Sequence, residues 1–278
     1  MIYGEQVACR IGDGDRGLPY LNWCAAALLC IVVGLVLSGC VTETSGIQSK
    51  QKKDRERFIE TSVSAAVKYM KEGDTDDAFR HLNRALEADK KNASTHNALA
   101  LLYRMTGDTD LEERHFKLAI RYDPRSSQAR NNYATFLFRE GRYHDALSQL
   151  QKAAKDPGYN QRELALVNMG RCYLKLEKSK EAIEAFRRAV LLRAELPAAH
   201  YELARLYYDD GDLRLANNHL ESFGKYARHT PVSLWLGIRI QRVLGDRDAL
   251  ASYELALRNL YPDSAEYRLY TEAKGQEQ

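Results

Sequence analysis

From residue 59 onward the sequence repeats with a period of about 34 residues. Tyr69 and Tyr103 are one period apart, and so are Tyr173 and Tyr207. Within each repeat, apolar residues recur at offsets of three and four, which places them on one face of a helix. A glycine near the middle, such as Gly107, permits the left-handed residue that ends a helix. Each repeat therefore predicts two helices, and neighbouring pairs must stack because one pair cannot bury its apolar face alone.

The repeats resemble the tetratricopeptide repeat, a helix–turn–helix unit of this period. The clearest one contains Leu99-Ala100-x-x-Tyr103, Gly107, Phe116, Ala119 and Pro124. The fold class is therefore predicted to be all-α, a right-handed superhelix of about six repeats. We place the units at 59–92, 93–126, 127–162, 163–196, 197–229 and 230–263.

Some units depart from the pattern. Lys90 stands where proline is usual, Glu112 replaces a small alanine, Glu177 replaces the turn glycine, and Phe223 occupies the second alanine position. The sixth unit is also predicted to be one residue out of phase. Beyond it, 264–272 is expected to form a short capping helix and 273–278 to be disordered.

The amino-terminal part has the organisation of a secretory signal. An apolar run from Trp23 to Leu37 leads to Leu37-Ser38-Gly39-Cys40. These four residues resemble the lipobox of bacterial lipoproteins, which implies cleavage before Cys40 and lipid attachment to its sulfur. Residues 1–39 are then a signal peptide. The alternative is an uncut anchor, although the run is shorter than the roughly 20 residues that a spanning helix needs.

Residues 40–58 are predicted to be the lipidated cysteine and a polar tether. Five basic residues lie in this stretch, and an alternative is that they also contact anionic headgroups; they are Lys50, Lys52, Lys53, Arg55 and Arg57. After cleavage and lipidation only Cys172 remains unmodified, so no intramolecular disulfide is possible. Loss of two basic and three acidic leader residues changes the net charge from +3 to +4. This small charge argues against a nucleic-acid partner.

No catalytic or cofactor motif is found in the sequence. The seven histidines never occur as His-x-x-x-His, so no zinc site on a helix is predicted. Cys172 precedes the repeat residue Tyr173 with no base at motif spacing, which favours a packed thiol over a nucleophile. Phosphate-binding glycine loops and Gly-x-Ser-x-Gly are also missing. The sequence predicts a non-enzymatic protein with no cofactor, no metal and no small-molecule substrate.

The resemblance to tetratricopeptide repeats implies a concave groove lined by the first helix of each unit. In that family, positions 2, 5, 9, 12 and 13 of the unit face the groove, and here many of them are apolar. Such a contiguous apolar surface indicates a protein-binding site; the alternative is that the groove packs on itself. The predicted groove residues are Val63, Val67, Met70, Asn97, Leu101, Met105, Asn131, Thr135, Phe138, Leu164, Val167, Leu174, Tyr201 and Tyr208.

Further stretches narrow the resemblance. They are Asn131-Asn132-Tyr133-Ala134, Leu234-Trp235-Leu236-Gly237-Ile238-Arg239 and Leu260-Tyr261-Pro262-Asp263-Ser264. Together with the lipobox, they resemble the type IV pilus biogenesis and stability lipoproteins of Gram-negative bacteria. The resemblance implies a pilotin, which binds subunits of the pilus secretin and promotes their outer-membrane localisation and ring assembly. It also implies a lipid-anchored protein whose repeats lie in the periplasm.

Two other functions remain as alternatives. One is a general envelope scaffold lipoprotein, for example in outer-membrane β-barrel assembly. The other is an enzyme or enzyme accessory, which the missing acid–base and nucleophile sets disfavour.

Overall fold

The computed structural model describes residues 41–275, and every regular element in this range is an α-helix. The predicted signal peptide, Cys40 and the last three residues lie outside the described residues. The helices are α1 (Val41–Glu72), α2 (Thr75–Ala88), α3 (Ala93–Thr106), α4 (Thr109–Tyr122), α5 (Ser127–Arg139), α6 (Tyr143–Lys155), α7 (Arg162–Lys175), α8 (Ser179–Leu192), α9 (Pro197–Asp210), α10 (Leu213–Tyr226), α11 (Pro231–Leu244), α12 (Arg247–Leu260) and α13 (Ala265–Gly275).

Each predicted unit corresponds to one pair of helices. We call the odd-numbered helices α1 to α11 the first helices and the even-numbered helices the second helices. The all-α, tetratricopeptide-type fold predicted from the repeat period is confirmed.

The sixth pair keeps the helix spacing of the fifth, because Pro231 of α11 follows Pro197 of α9 by one full period. What moves by one residue is the close contact within the pair. A Cβ on Gly170 would lie 2.6 Å from the Phe186 ring, and one on Gly237 would lie 2.7 Å from the Tyr253 ring. Gly170 is seven positions before the left-handed residue of its turn, whereas Gly237 is eight before. The predicted one-residue shift is therefore found in the glycine–ring contact between the two helices, whereas the helix boundaries keep the regular period.

Side chains of the second helices fill the space between pairs. Phe116 and Phe186 are almost completely buried, as are Leu82, Leu150 and Leu220. Burying each of these contributes about 2 kcal/mol to the folded state. One core cluster runs without interruption from Ala100 to Ile240. Stability thus comes from stacking neighbouring pairs, as the repeat pattern requires.

The acidic residue at a small-residue position is explained by a partner in the next unit. Glu112 is only 2% exposed, and its carboxylate accepts a hydrogen bond from the Arg139 guanidinium of α5. Burial raises the pKa of Glu112, and the hydrogen bond and charge of Arg139 oppose that rise. This ion pair joins the second and third units. Removing either charge would leave the other without its partner, which is destabilising for a buried ion pair.

Both ends of the described chain differ from the expectations. Residues 41–58, predicted as a tether, are helical as the beginning of α1, and residues 47–58 are exposed. On this helix the Lys52 ammonium and the Glu56 carboxylate lie 3.9 Å apart. At the other end, α13 contacts α11 and α12 and buries Tyr270. It continues to Gly275, so the prediction of disorder from residue 273 is wrong for residues 273–275.

Candidate partner-binding groove

The first helices of neighbouring units approach one another more closely than the second helices do. Contacts join α3 to α5, α5 to α7, and α9 to α11, whereas neighbouring second helices make no comparable contact in residues 59–275. Stacked helix pairs curve toward the side on which their helices are closest. The first helices therefore line the inner face, and we call their exposed inner surface the groove.

Most of the predicted groove residues are half-buried, with one face on the core and one toward solvent. Met105 is more open, at 43% exposed, and Thr135 is exposed. The half-buried residues are Val63, Val67, Met70, Asn97, Leu101, Phe138, Leu164, Leu174, Tyr201 and Tyr208. An apolar side chain of a partner could therefore replace water along much of this surface.

Two predicted groove residues are buried, and for them the prediction is wrong. Val167 is 6% exposed because it belongs to the core cluster. Asn131 is 7% exposed, and its side-chain carbonyl accepts a hydrogen bond from the Asn168 amide at 3.1 Å. Both lie where the first helices of units three and four meet, which leaves no room for a partner.

Asparagine side chains join the first helices of three successive units. The amide of Asn132 donates to the side-chain carbonyl of Asn97 at 3.0 Å, and Asn168 donates to Asn131 in the same way. These hydrogen bonds supply partners for side-chain amides that packing would otherwise leave unsatisfied. Asn97 and Asn131 therefore fix neighbouring helices and are poorly placed to bind a ligand.

The groove also contains a series of arginines that are not among the predicted groove residues. Arg171, Arg205 and Arg239 recur one period apart at position 9 of units four to six, with the sixth unit counted from Pro231 as its helices require. The period that locates the helices could also have identified them, but the predicted groove residues include none of the basic side chains at that position. At position 9 the groove is thus apolar in units one and two and basic in units four to six, where Tyr201, Tyr208 and Trp235 add aromatic side chains.

Arg239 is held by aromatic rings of two successive first helices. Its guanidinium carbon lies 4.6 Å from the Tyr208 ring centroid and 5.9 Å from that of Trp235. Both distances fall in the range of cation–π attraction. Its Nε atom is buried without a hydrogen-bond partner among the described residues. Arg205, one unit earlier, pairs instead with Glu202 at 3.0 Å and Asp209 at 3.3 Å.

Two histidine pairs occupy equivalent places in units two and five. The Nδ1 atoms of His96 and His115 are 3.0 Å apart, as are those of His200 and His219. His96 Nε2 lies 3.0 Å from the carbonyl of Lys90, so it must carry the proton and its Nδ1 must accept from His115. Burial lowers the pKa of His115 and His219 to about 4, and neighbouring histidine charge adds to the effect. Each pair is therefore a neutral structural contact between the two helices of its unit.

Neither a reactive thiol nor a metal cluster is present at the groove among the described residues. Burial raises the pKa of the Cys172 thiol to about 12, so it stays protonated and buried. Within residues 41–275, no three metal-ligating side chains come together. No described helix combines the length and the apolar character that crossing a membrane would need.

Comparisons with known proteins match both the repeats and most of the chain. The family model described as tetratricopeptide repeat matches residues 64–121 and 167–216, and that described as anaphase-promoting complex, cyclosome, subunit 3 matches residues 113–189. The type IV pilus assembly protein PilF of Pseudomonas aeruginosa (strain PAO1) is 32% identical over 250 residues, which cover 90% of this chain and 98% of that protein.

Solved structures of pilus proteins share the architecture. Pseudomonas aeruginosa PilF superposes with a TM-score of 0.75 at 31% identity, covering 79% of this chain and 99% of the other. PilW, described as a widely conserved type IV pilus biogenesis factor, gives a TM-score of 0.66 at 27% identity, covering 77% and 98%. The similarity extends over more than three quarters of this chain and almost the full length of both solved relatives.

Proposed function

Because this chain belongs to the family of PilF-like type IV pilus assembly proteins with tetratricopeptide repeats, we propose that it is a pilotin for the type IV pilus secretin. In this proposal the repeats bind a segment of a secretin subunit in the periplasm. A lipid on Cys40 carries the pair to the outer membrane, where the subunits multimerise into the channel needed for pilus biogenesis and twitching motility.

The groove is the observation that carries the proposal. It presents half-buried apolar side chains on successive first helices, among them Leu101, Phe138 and Leu174. This surface suits an amphipathic helix or an extended peptide, which are common partners of such grooves. Among the described residues no metal cluster lies at this surface and the Cys172 thiol is buried, so binding is the activity that the groove supports best.

The lipobox-like sequence supports the proposed delivery to the outer membrane. Cys40 follows Leu37-Ser38-Gly39, and the residue after it is Val41 and not the aspartate that retains lipoproteins in the inner membrane. Holding several secretin subunits on one membrane surface would raise their effective concentration and favour ring assembly. The chain then contributes a binding surface and a location, without catalysis.

Substitution of exposed groove residues tests the proposal. Met105→Asp together with Thr135→Asp places two charges on neighbouring first helices at exposed positions, so the fold should be retained. Secretin multimers in outer-membrane fractions should fall by about tenfold, since apolar contact would have to desolvate two carboxylates. The matched control is Leu191→Asp, because Leu191 is 86% exposed on a second helix; multimers should stay at the wild-type level.

A pull-down with the full chain separates this function from that of a general envelope scaffold. Recovery of the secretin supports the proposal. Recovery of β-barrel assembly components without secretin would contradict it, as would normal multimers in the groove variant when circular dichroism confirms its helical content.

A further inference from the structure

The groove positions carry an excess of positive charge. Across the six units, with the sixth counted from Pro231, positions 2, 5, 9, 12 and 13 contain eight basic residues and two acidic ones. In units two to four, none of the fifteen positions is acidic. The basic residues are Lys71, Arg104, Arg139, Arg171, Lys175, Arg205, Arg239 and Arg242, and the acidic ones are Glu60 and Asp209.

Some of these cations already have a carboxylate partner within the chain. Arg139 pairs with buried Glu112, Arg205 with Glu202 and Asp209, and Arg242 lies 4.0 Å from Glu254. Arg139 and Arg242 thereby link neighbouring helices, and Arg205 is paired within its own helix α9. These arginines therefore contribute little free positive charge to a partner.

The remaining groove cations have no ion pair with any described residue, although the charge of Arg104 acts to lower the pKa of buried Glu112. Arg104, Arg171 and Lys175 are exposed on the first helices of units two and four, beside the half-buried side chains of Leu101 and Leu174. Arg239 is restrained by Tyr208 and Trp235 while its Nε lacks an acceptor. A guanidinium held in this way loses little further entropy when it binds a carboxylate, and its fork of donors matches that group.

We infer that the groove recognises a peptide segment in which acidic side chains alternate with apolar ones. This inference rests on the proposed function and specifies the secretin segment that the pilotin would bind. The apolar residues of the segment would cover Leu101, Phe138 and Leu174, while its carboxylates would meet Arg104 and Arg171. Charge complementarity of this kind sets the partner and accelerates association more than it adds to affinity.

Charge reversal on the groove tests the inference. The probe is the purified secretin subunit from the same organism, bound to the full chain in detergent at low and at high salt. Arg104→Glu with Arg171→Glu should weaken binding by about tenfold at low salt, and the difference should shrink at high salt because exposed charges are screened. The matched control is Lys180→Glu with Arg188→Glu, two exposed residues of the second helix α8, and it should bind within about twofold of the wild type.

Overlapping peptides from the secretin locate the segment. The expected result is that peptides with alternating acidic and apolar residues bind the wild-type chain. Peptides in which lysine replaces the acidic residues should bind the variant with Arg104→Glu and Arg171→Glu. If the groove variant and the control variant bind the secretin subunit with equal affinity and without salt dependence, the inference is overturned and the proposed function stands. No secretin binding by the wild type would contradict the proposed function and the inference with it. Binding to anionic phospholipid vesicles in place of the peptides would overturn the inference and assign the charge to membrane recognition.

Discussion

Glu177 holds a left-handed backbone conformation in a turn where the other five units have glycine. Its φ is 59°, close to the 73–85° of those glycines. For a residue with a Cβ this conformation costs about 1 kcal/mol. The next residue, Lys178, is the N-cap of α8 and makes no side-chain capping bond, whereas Asp212 caps α10 by accepting from the Leu215 amide at 3.0 Å.

Restoring Gly-Asp at this turn should stabilise the protein. Glu177→Gly removes the strain and Lys178→Asp adds an N-cap, and each change should contribute about 1 kcal/mol to the free energy of unfolding. The backbone of Lys178 is already suitable, with φ −98° and ψ 70° against −82° and 77° at Asp212. The denaturant midpoint should rise for each single variant and rise further for the double variant.

A second glycine substitution controls for composition. Glu181 is exposed in the first turn of α8. Glu181→Gly should destabilise by about 1 kcal/mol, because glycine has a low helix propensity and the change removes a carboxylate that is favourable near a helix N-terminus. If Glu177→Gly also lowers the midpoint, the left-handed turn is not a source of strain.

At the scale of the helix pair, the sequence predicts the positions of the helices better than it predicts the side-chain contacts between them. The repeat period locates every helix between Ile59 and Tyr261 because spacing and turn glycines are properties of the chain itself. The burial of Val167 and Asn131 was not predictable in this way, because it depends on how closely α5 and α7 approach. The pairing of Glu112 with Arg139 likewise joins residues of different units, which no single repeat encodes.

The histidine pairs make units two and five sensitive to acid. His115 and His219 are neutral in the folded state, and burial lowers the pKa of each from the ordinary 6.5 to about 4. Their contribution to stability is therefore complete above pH 6.5 and is lost progressively as pH falls from there through 4, since protons bind the unfolded chain first. At pH 5 the loss should already be on the order of 2 kcal/mol for each of these two histidines.

Replacing the donors of both pairs should reduce that sensitivity. Glutamine at His115 and His219 still donates to the Nδ1 of the partner histidine but does not take up a proton in this range. We expect the difference in Tm between pH 7.5 and pH 5 to shrink in the double variant. His144→Gln is the control, because His144 is exposed on α6; an equal shrinkage in both variants would show that the pairs are not the acid-sensitive groups.

At the scale of the whole molecule, the repeats and the proposed anchor have separable tasks. A stacked array transmits structure only between neighbouring pairs, so the groove on Ile59–Tyr261 forms from the repeats' own packing. Cys40 precedes all six units in the sequence. Binding of the partner and delivery to a membrane are therefore expected to depend on different residues.

Replacing Cys40 by Ser separates the two tasks. The variant has no thiol to carry the lipid, so it should leave the outer-membrane fraction, and the secretin should be mislocalised and form few multimers. Its affinity for the purified secretin subunit should stay within about twofold of the wild type, because the groove residues are unchanged. Membrane fractionation measures the first effect and a binding titration measures the second. Correct secretin localisation with the unlipidated variant would contradict the role of the anchor, and a large loss of affinity would show that the amino terminus is part of the binding site.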